Sequence, residues 1–369
     1  MVKVEQMIFN AIPSGMPVPG ETLKKVEREL DLDAPLDDGA VLLKALTLSW
    51  DPYLRGRMRD ESKESYVPAF KLGEVIANFG VGEVVQSANS TFQQGQKLYG
   101  SLDFATYQVL PKDRADSLVA LDNKEGLPWT TWVGSAGMPG QTAWWAVEKV
   151  AKLSKDDTVF VSGASGPVGQ VTLALAKKIG AKTIASAGSP EKVDFLRDTY
   201  GVDRAFNYKT EDANQVLAQW AKDTGKPFNV YVDNVAGPQL EAALENIARG
   251  GTIVAIGAVT DYNGSPYGIR NVFQVVAKEL RWEVRRSPAS LPSLALTYGH
   301  APAPQGFIIL NHLTPEVLNE FYTEIPPAIA SGSIPVKEHI FKGLDNGESF
   351  LTLFDQKNSN FGKAVISLE

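Results

Sequence analysis

Three regularly spaced glycines are the first residues in this sequence that could do chemistry. The segment 163–169 reads GASGPVG and follows an apolar, strand-like run at 158–162. Between a strand and a helix, such glycines permit a tight turn, a close backbone approach to a diphosphate and close helix–strand packing. The diphosphate then lies at the positive end of the helix. A turn without a ligand is the alternative, but the context favours dinucleotide binding by Gly163, Ser165, Gly166, Pro167, Val168 and Gly169.

The residues after the next predicted strand indicate which dinucleotide is bound. An NAD site usually has Asp or Glu about 20 residues beyond the glycine turn, for the ribose hydroxyls. Here the segment 185–189 reads ASAGS and offers no carboxylate to repel a 2′-phosphate. Lys192, in the first turn of the next predicted helix, offers a cation, and Ser189 and Tyr208 offer hydrogen bonds. Lys192 alone would be read as a solvated lysine, but together these residues predict NADPH.

An alternation of strands and helices must position these groups. Strand-like runs occur at 158–162, 182–186, 204–208, 229–235 and 252–259, with helical stretches between them. This rhythm is typical of a parallel sheet built from right-handed crossovers. The sequence therefore predicts an α/β, doubly wound domain over 131–309.

Short strands punctuated by glycine precede this domain. The run 41–50 is apolar, 73–89 breaks into two short pieces at Gly80 and Gly82, and 105–112 ends at a proline and a lysine. Frequent short strands predict a barrel or sandwich. Because 360–369 contains another strand, we expect the tail to return to this β-rich domain, which would comprise 1–130 and 310–369.

Composition excludes several classes of function. The net charge of −7 disfavours nucleic acid as a partner. The absence of cysteine removes thiol nucleophiles and thiolate zinc sites, and His300, His312 and His339 lack ligand spacing, so no metal site is expected. Neither a signal peptide nor a run of about 18 apolar residues is found. We therefore expect a cytoplasmic protein without a membrane partner.

Several motifs resemble one known family in their order along the chain. The sequence is similar to medium-chain dehydrogenases/reductases, and within them to the zinc-independent group of prostaglandin reductases and alkenal double-bond reductases. The matching segments are LSWDPYLRGRM (48–58), GSAGMPGQTAWW (134–145), SGASGPVG (162–169), GSPEKVDFL (188–196), FNYKT (206–210), VDNVAG (232–237), GAVTDYN (257–263) and NFGKAV (360–365).

The resemblance implies a GroES-like catalytic domain, a Rossmann domain and a homodimer. It implies NADPH-dependent reduction of the C=C bond of α,β-unsaturated aldehydes or ketones, by hydride transfer to the β-carbon. The cofactor contacts it implies are the turn at 166–169, Lys192, Tyr208, Asn234, Asn360 and the segment 256–262, which includes Gly257, Ala258 and Tyr262.

Two tyrosines are the catalytic candidates that the resemblance implies. Negative charge develops on the substrate carbonyl oxygen, and removing one hydrogen-bond donor to such an oxygen costs about 3 kcal/mol. We assign Tyr262 as this donor and proton source, and Tyr53 as a residue that positions the substrate. Packing is the alternative for both, and Tyr262, beside Asn263 and Gly264, would also suit a turn.

The sequence departs from the family in a proline-rich stretch near 283–305. It reads as a surface loop insertion or as an artefact of the gene model, and it falls where the dimer strand is expected. Pro167 also differs from the small residue common in relatives, although proline suits the start of a helix. A quinone oxidoreductase, a reductase of secondary metabolism and a non-catalytic NADPH sensor remain as alternatives.

Overall fold

The computed structural model describes residues 1–264, 266–283, 308–354 and 359–369, and the described chain forms two compact units. The first unit comprises Met1–Met138 and Lys337–Glu369, and the second comprises Pro139–Val336. The proline-rich stretch expected near 283–305 lies outside the described residues from position 284 onward.

The first segment of the chain is rich in short strands, as its glycine-punctuated sequence predicts. Its described strands are β1 (Val2–Phe9), β2 (Leu23–Leu30), β3 (Val41–Ser49), β4 (Ala77–Ser87), β5 (Lys97–Asp103), β6 (Tyr107–Leu110) and β7 (Val119–Ala120). Three one-turn helices lie between or after them: α1 (Leu54–Arg57), α2 (Lys112–Ala115) and α3 (Trp129–Trp132).

The second unit alternates strands and helices. It begins within α4 (Met138–Trp145), which a π-helical segment, Ala146–Ala151, continues. Its other helices are α5 (Pro167–Ile179), α6 (Pro190–Tyr200), α7 (Ala213–Thr224), α8 (Gly237–Asn246), α9 (Gln274–Ala277) and α10 (Pro315–Ala330). Its strands are β8 (Thr158–Val161), β9 (Lys182–Ala187), β10 (Arg204–Asn207), β11 (Val230–Asp233), β12 (Thr252–Ala255) and β13 (Arg281–Glu283).

The chain then returns to the first unit through β14 (Glu338–Lys342), α11 (Glu348–Leu351) and β15 (Lys363–Ser367). The main sheet of this unit has the order β14-β15-β3-β4-β5-β7, with β6 also paired to β3, while β1 and β2 form a separate hairpin. The predicted terminal strand is therefore β15, and it lies inside the sheet between β14 and β3.

One continuous strand replaces the two short pieces predicted around Gly80 and Gly82. Strand β4 runs through both glycines and pairs with β3 and β5 along its length. A Cβ atom at Gly80 would lie 2.8 Å from the Leu48 side chain, and one at Gly82 would lie 3.3 Å from that of Leu102. The glycines make room for neighbouring side chains within the strand, so their presence does not mark a break.

The sheet of the second unit confirms the predicted doubly wound fold. Its strand order is β10-β9-β8-β11-β12-β13, and every described pairing is parallel. Counted from β8, this is the order 3-2-1-4-5-6 of a Rossmann domain, whose ligand lies beyond the carboxyl ends of the strands where the order reverses. That reversal falls between β8 and β11. No helix in the described ranges has the length and hydropathy of a membrane span.

Helix α10 explains why the second unit extends to Val336, whereas the sequence analysis predicted that the chain returns to the first domain at residue 310. Glu324 accepts a hydrogen bond of 2.9 Å from the Trp144 indole and pairs with Lys178 at 2.8 Å. Phe321 packs edge-on against Trp144, with 6.1 Å between the ring centroids. These contacts hold α10 against α4 and α5, so the boundary lies at 336/337.

Candidate active site

Gly163 lies in the turn after strand β8, in a conformation that suits glycine. Its φ is +58°, and an added Cβ atom would lie 3.2 Å from Val235 and 3.5 Å from the Cβ of Asn234. Both the backbone angle and the neighbouring chain therefore favour glycine at this position. The turn after β8 thus runs close to the residues that follow β11.

The N-terminus of α5 is open for an anion. Gly166 is the N-cap and has no side chain to bond the first amides, and Pro167 occupies the first helical position. A Cβ atom at Gly169 would lie 2.5 Å from the backbone of Ala164, so the first helical turn packs directly on the loop. Ser165, Gly166, Pro167 and Val168 are half-buried. A diphosphate fits such a cradle of backbone amides at a positive helix end.

The groups predicted for the 2′-phosphate follow β9 and β10. Ser189 caps α6, and its hydroxyl oxygen accepts a 3.4 Å hydrogen bond from the backbone N–H of Lys192. The Lys192 side chain is buried, with 8% exposure, in the first turn of that helix. Tyr208 follows β10, and its backbone N–H donates to Ala187 at 3.1 Å. The structure therefore brings the backbone of Tyr208 to the end of β9, where Ser189 begins α6.

A buried carboxylate orders the loop after β11, and the sequence reading missed it. Asp233 Oδ1 accepts hydrogen bonds from the Tyr231 hydroxyl at 2.8 Å and from the backbone N–H groups of Val235 and Ala236 at 3.1 Å and 2.8 Å. Burial raises the pKa of Asp233, and the hydrogen bonds, chiefly that of Ala236, oppose this shift. The signal in the sequence that could have identified Asp233 is its position as an acidic residue at the end of an apolar strand.

The same network fixes Asn234 beside the glycine turn. Its backbone N–H donates to Ser162 Oγ at 3.0 Å, and its Nδ2 donates to the Ser162 carbonyl at 2.8 Å. Ala236 has a φ of +59°, which is unusual for a residue with a Cβ atom. Such strain persists only where surrounding contacts impose it, and here the bond to Asp233 does so.

Tyr262 lies against the end of β12. A Cβ atom at Gly257 would lie 2.9 Å from the Asn234 carbonyl oxygen and 3.8 Å from the Tyr262 hydroxyl. The backbone amide of Ala258 acts on that hydroxyl electrostatically. The structure thus brings Asn234, Gly257, Ala258 and Tyr262 together, next to Gly163, at the carboxyl ends of β8, β11 and β12.

The environment keeps the Tyr262 hydroxyl protonated. Burial raises its pKa above the ordinary 10.0, and the backbone amide of Ala258 opposes part of this shift. A phenol hydroxyl that stays protonated can donate its proton to a ligand. This arrangement suits a donor to a carbonyl oxygen.

Tyr53 and Asn360 lie in the first unit. The Tyr53 hydroxyl donates to Asn78 Oδ1 at 2.5 Å. Asn360 precedes β15, its Nδ2 donates to the Gly362 carbonyl at 3.1 Å, and its buried Oδ1 has no hydrogen-bond partner in the described part of the chain. An unpartnered buried acceptor is costly unless a ligand donates to it.

The sequence reading also missed a buried ion pair in the first unit. Lys363 Nζ lies 2.8 Å from Asp51 Oδ1, and the two side chains are 2% and 7% exposed. Both residues stand within motifs that carry the family resemblance, WDPY and NFGKAV. Their pairing spans most of the chain, so the local sequence pattern gave no signal for it.

The histidines with described positions make aromatic contacts. His312 stacks on Trp145 with 4.8 Å between ring centroids, and His339 stacks on Phe341 at 4.3 Å. Within the described ranges, no group of three or more His, Asp or Glu side chains is arranged to hold a metal ion. His300 lies outside these ranges.

Comparisons with known proteins agree with this architecture. A family model described as the N-terminal domain of oxidoreductase matches residues 5–118, and one described as zinc-binding dehydrogenase matches residues 167–288. A solved structure of CurA from Vibrio vulnificus in complex with NADPH has a TM-score of 0.82 and 26% identity, covering 99% of each chain.

Two curated relatives match nearly the whole chain. A zinc-type alcohol dehydrogenase-like protein of Schizosaccharomyces pombe is 34% identical over 96% of this chain and 95% of its own length. The NADP(+)-dependent 2-alkenal reductase of Nicotiana tabacum is 32% identical over 99% of this chain and 97% of its own. The chain therefore belongs to the medium-chain dehydrogenase/reductase family, in its zinc-independent group of alkenal double-bond reductases.

Proposed function

We propose that this protein is an NADPH-dependent reductase of the C=C bond of α,β-unsaturated aldehydes and ketones. The observation that carries the proposal is the position of the Tyr262 hydroxyl at the carboxyl end of the sheet, beside Gly257 and Asn234. The 2-alkenal reductase activity named for the tobacco relative and the NADPH bound to CurA support the same reading.

The residues of the second unit fit the cofactor. The amides at the start of α5 and the turn at 163–169 would hold the diphosphate, since the helix end is positive and uncapped by any side chain. Lys192, Ser189 and Tyr208 would hold the 2′-phosphate, where a carboxylate is absent from 185–189. Asn234, Gly257 and Ala258 would line the nicotinamide. When bound, NADPH supplies the hydride that reduces the alkene carbon β to the carbonyl.

Tyr262 would donate a hydrogen bond to the carbonyl oxygen of the substrate. As the β-carbon gains the hydride, negative charge develops on the carbonyl oxygen, and a hydroxyl donor placed there stabilises the transition state more than the ground state. The raised pKa of Tyr262 keeps the proton on its oxygen at neutral pH. The same hydroxyl would then donate a proton to the enolate.

Tyr53 and Asn360 contribute from the first unit. We propose that Tyr53 faces the substrate and that the unpartnered Oδ1 of Asn360 accepts a hydrogen bond from the cofactor. The family resemblance supports both roles, and the burial of Asn360 Oδ1 without a protein partner supports the second.

A substrate panel tests the proposed function. NADPH oxidation is measured with 2-alkenals, linear enones and quinones in parallel, and each reaction is repeated with NADH. We expect reduction of alkenals and enones, a preference for NADPH, and a saturated carbonyl product identified by mass spectrometry. Turnover of quinones alone would instead identify a quinone oxidoreductase. NADPH binding without turnover of any of these compounds would identify a sensor.

We further propose that the protein is a cytoplasmic homodimer. The resemblance to medium-chain dehydrogenases/reductases, among which homodimers are usual, supports the dimer. Light scattering on the purified protein tests the dimer, for which we expect twice the mass of one chain. Fluorescence microscopy of a tagged chain tests the compartment.

A further inference from the structure

The sequence contains two Asn-Gly pairs, Asn263–Gly264 and Asn346–Gly347. Such a pair is chemically labile, because the backbone nitrogen of the glycine can attack the side-chain carbonyl carbon of the asparagine. Glycine favours this attack, since it has no Cβ atom to restrict its backbone or to keep its nitrogen from that carbon. In a folded protein the reaction also requires that the nitrogen and the asparagine side chain can move together.

Hydrogen bonds and burial hold the pair Asn346–Gly347 in place. The backbone N–H of Gly347 donates to Asp345 Oδ1 at 2.7 Å. Asn346 Oδ1 accepts a hydrogen bond of 3.2 Å from the backbone N–H of Lys25. Gly347 is also buried. The attacking nitrogen and the carbonyl group that it would attack are thus both engaged elsewhere.

The backbone nitrogen of Gly264 is open to reaction. Gly264 is exposed, and no atom lies within 4 Å of a Cβ atom added to it. In the described part of the chain its backbone N–H makes no hydrogen bond. Asn263 is half-buried, in the turn that begins at Tyr262. The space around Gly264 therefore lets its nitrogen approach the Asn263 side chain.

We propose that Asn263 is a site of spontaneous deamidation and that its product slows the proposed reduction. The nitrogen of Gly264 forms a bond to Cγ of Asn263 and loses its proton, and the side-chain nitrogen leaves with that proton as ammonia. Water then opens the five-membered imide at either carbonyl and leaves an aspartate or an isoaspartate, with no change of oxidation state. The effect on turnover rests on the proposed function, in which Tyr262 donates to the substrate.

The product adds a negative charge next to Tyr262, because an aspartate carboxyl is ordinarily ionised at neutral pH. That charge opposes the negative charge that develops on the substrate carbonyl oxygen during reduction. The isoaspartate also lengthens the main chain by one carbon atom, which displaces the turn that begins at Tyr262. Both products should therefore lower kcat.

Peptide mapping by mass spectrometry tests the modification. The purified full-length protein is incubated under mildly alkaline conditions, which favour the attacking form of the amide nitrogen, and the mass gain of one dalton is followed at both pairs. We expect Asn263 to convert at least tenfold faster than Asn346, about the factor expected when one or two ordinary hydrogen bonds must break first. In urea, where the folded contacts are lost, the two rates should be similar. Equal rates in the folded protein, or no conversion of Asn263, would overturn the inference.

Gly264→Ala tests the attacking residue. Alanine fits at this position, because the added carbon meets no atom within 4 Å and the φ of Gly264 lies outside the left-handed region. The Cβ atom hinders the attack, so conversion of Asn263 should slow severalfold while that of Asn346 stays the same. Unaltered conversion of Asn263 in this variant would overturn the route through the imide.

Asn263→Asp gives every molecule the charge of the product. We expect its kcat for 2-alkenals to fall by about threefold or more. Asn263→Gln keeps an amide that cyclises slowly, so it should retain the wild-type kcat and keep it during the incubation in which the wild type loses activity. Wild-type turnover by a folded Asn263→Asp enzyme, judged by circular dichroism, would overturn the effect on reduction. A wild-type enzyme that reduces no enone or enal overturns the proposed function and this effect together, while the peptide masses still decide the modification.

Discussion

A hydroxyl group can serve a substrate with its proton or with its lone pairs, and the partner inside the protein decides which. Asn78 Oδ1 takes the proton of the Tyr53 hydroxyl, whereas the Tyr262 hydroxyl donates to no group in the described part of the chain. The two tyrosines that the resemblance names together therefore differ in what they can offer a substrate. Burial is the main cause of the raised pKa at both, and for Tyr53 the charge of Asp51 adds to it.

Tyr262→Phe removes the proposed donor to the carbonyl oxygen. We expect kcat for 2-alkenals to fall about 100-fold, in line with the loss of one preorganised donor. NADPH affinity, measured by fluorescence titration, should change less than about twofold. Tyr267→Phe, whose hydroxyl bonds Glu241 at 3.3 Å, is the matched control and should retain activity. A fully active Tyr262→Phe enzyme would show that another group supplies the donor.

The pH dependence of kcat follows from the raised pKa of Tyr262. The protonated hydroxyl is the active form, so its contribution is complete at low pH and is lost only as pH rises through a pKa above the ordinary 10.0. We expect no falling limb from this group between about pH 7 and about pH 9.5. Steady-state rates across that range test this. A falling limb centred below pH 9 in the wild type that Tyr262→Phe abolishes would contradict it.

Lys192→Ala removes the cation proposed for the 2′-phosphate. A hydrogen bond to a charged group contributes about 1.5–3 kcal/mol, so we expect the Kd for NADPH to rise about 10- to 100-fold while that for NADH stays within about twofold. Lys222→Ala, on an exposed face of α7, should change neither value. Equal losses for both coenzymes would mean that Lys192 supports the fold and not the phosphate.

At the scale of elements, the glycine spacing predicted the strand–turn–helix unit because its causes are local. Gly169 packs on Ala164 within the same turn, Gly163 has a positive φ that the turn itself requires, and the flanking β8 and α5 follow from their own patterns. The polar networks could not be predicted in the same way. Asp51 joins Asn78 and Lys363, residues 27 and 312 positions away, and only the folded sheet brings them together.

Gly169→Ala tests the packing of α5 on its loop. The new Cβ atom would lie 2.5 Å from backbone atoms of Ala164, which cannot rotate away, so the helix start must shift. We expect the affinity for NADPH to fall at least tenfold and the Tm of the protein to fall. Gly268→Ala, where no atom lies within 4 Å of the added carbon, should bind NADPH normally. Normal binding by Gly169→Ala would mean that the turn tolerates displacement.

At the scale of the molecule, the sequence predicted that the chain returns to the first unit but not the residue at which it returns. The apolar run near the end of the sequence indicated a strand, and β15 is confirmed at Lys363–Ser367. Residues 310–336 carry an ordinary amphipathic helix pattern, which does not indicate the unit against which the helix packs. Contacts such as Glu324 with Trp144 and Lys178 settle its place in the second unit.

Lys363→Met probes the stability of the first unit. The change leaves Asp51 buried without its cation, which costs about 3–5 kcal/mol in comparable buried pairs. We expect a corresponding fall in the free energy of unfolding in urea, partly restored in the double variant with Asp51→Asn. Lys3→Met breaks an exposed pair with Glu27 and should cost less than about 1 kcal/mol. Similar costs for Lys363→Met and Lys3→Met would show that the buried pair contributes little.

The place of β15 between β14 and β3 has a consequence for biosynthesis. The first unit needs a strand that the ribosome makes some 300 residues after β3, so its sheet stays open during most of translation. Within the described residues, the second unit has the strands of its sheet by residue 283 and its last helix by residue 330. Nascent chains can thus form the nucleotide-binding half first, while residues 47–49 of β3 still lack β15 as a neighbour and could pair with other chains.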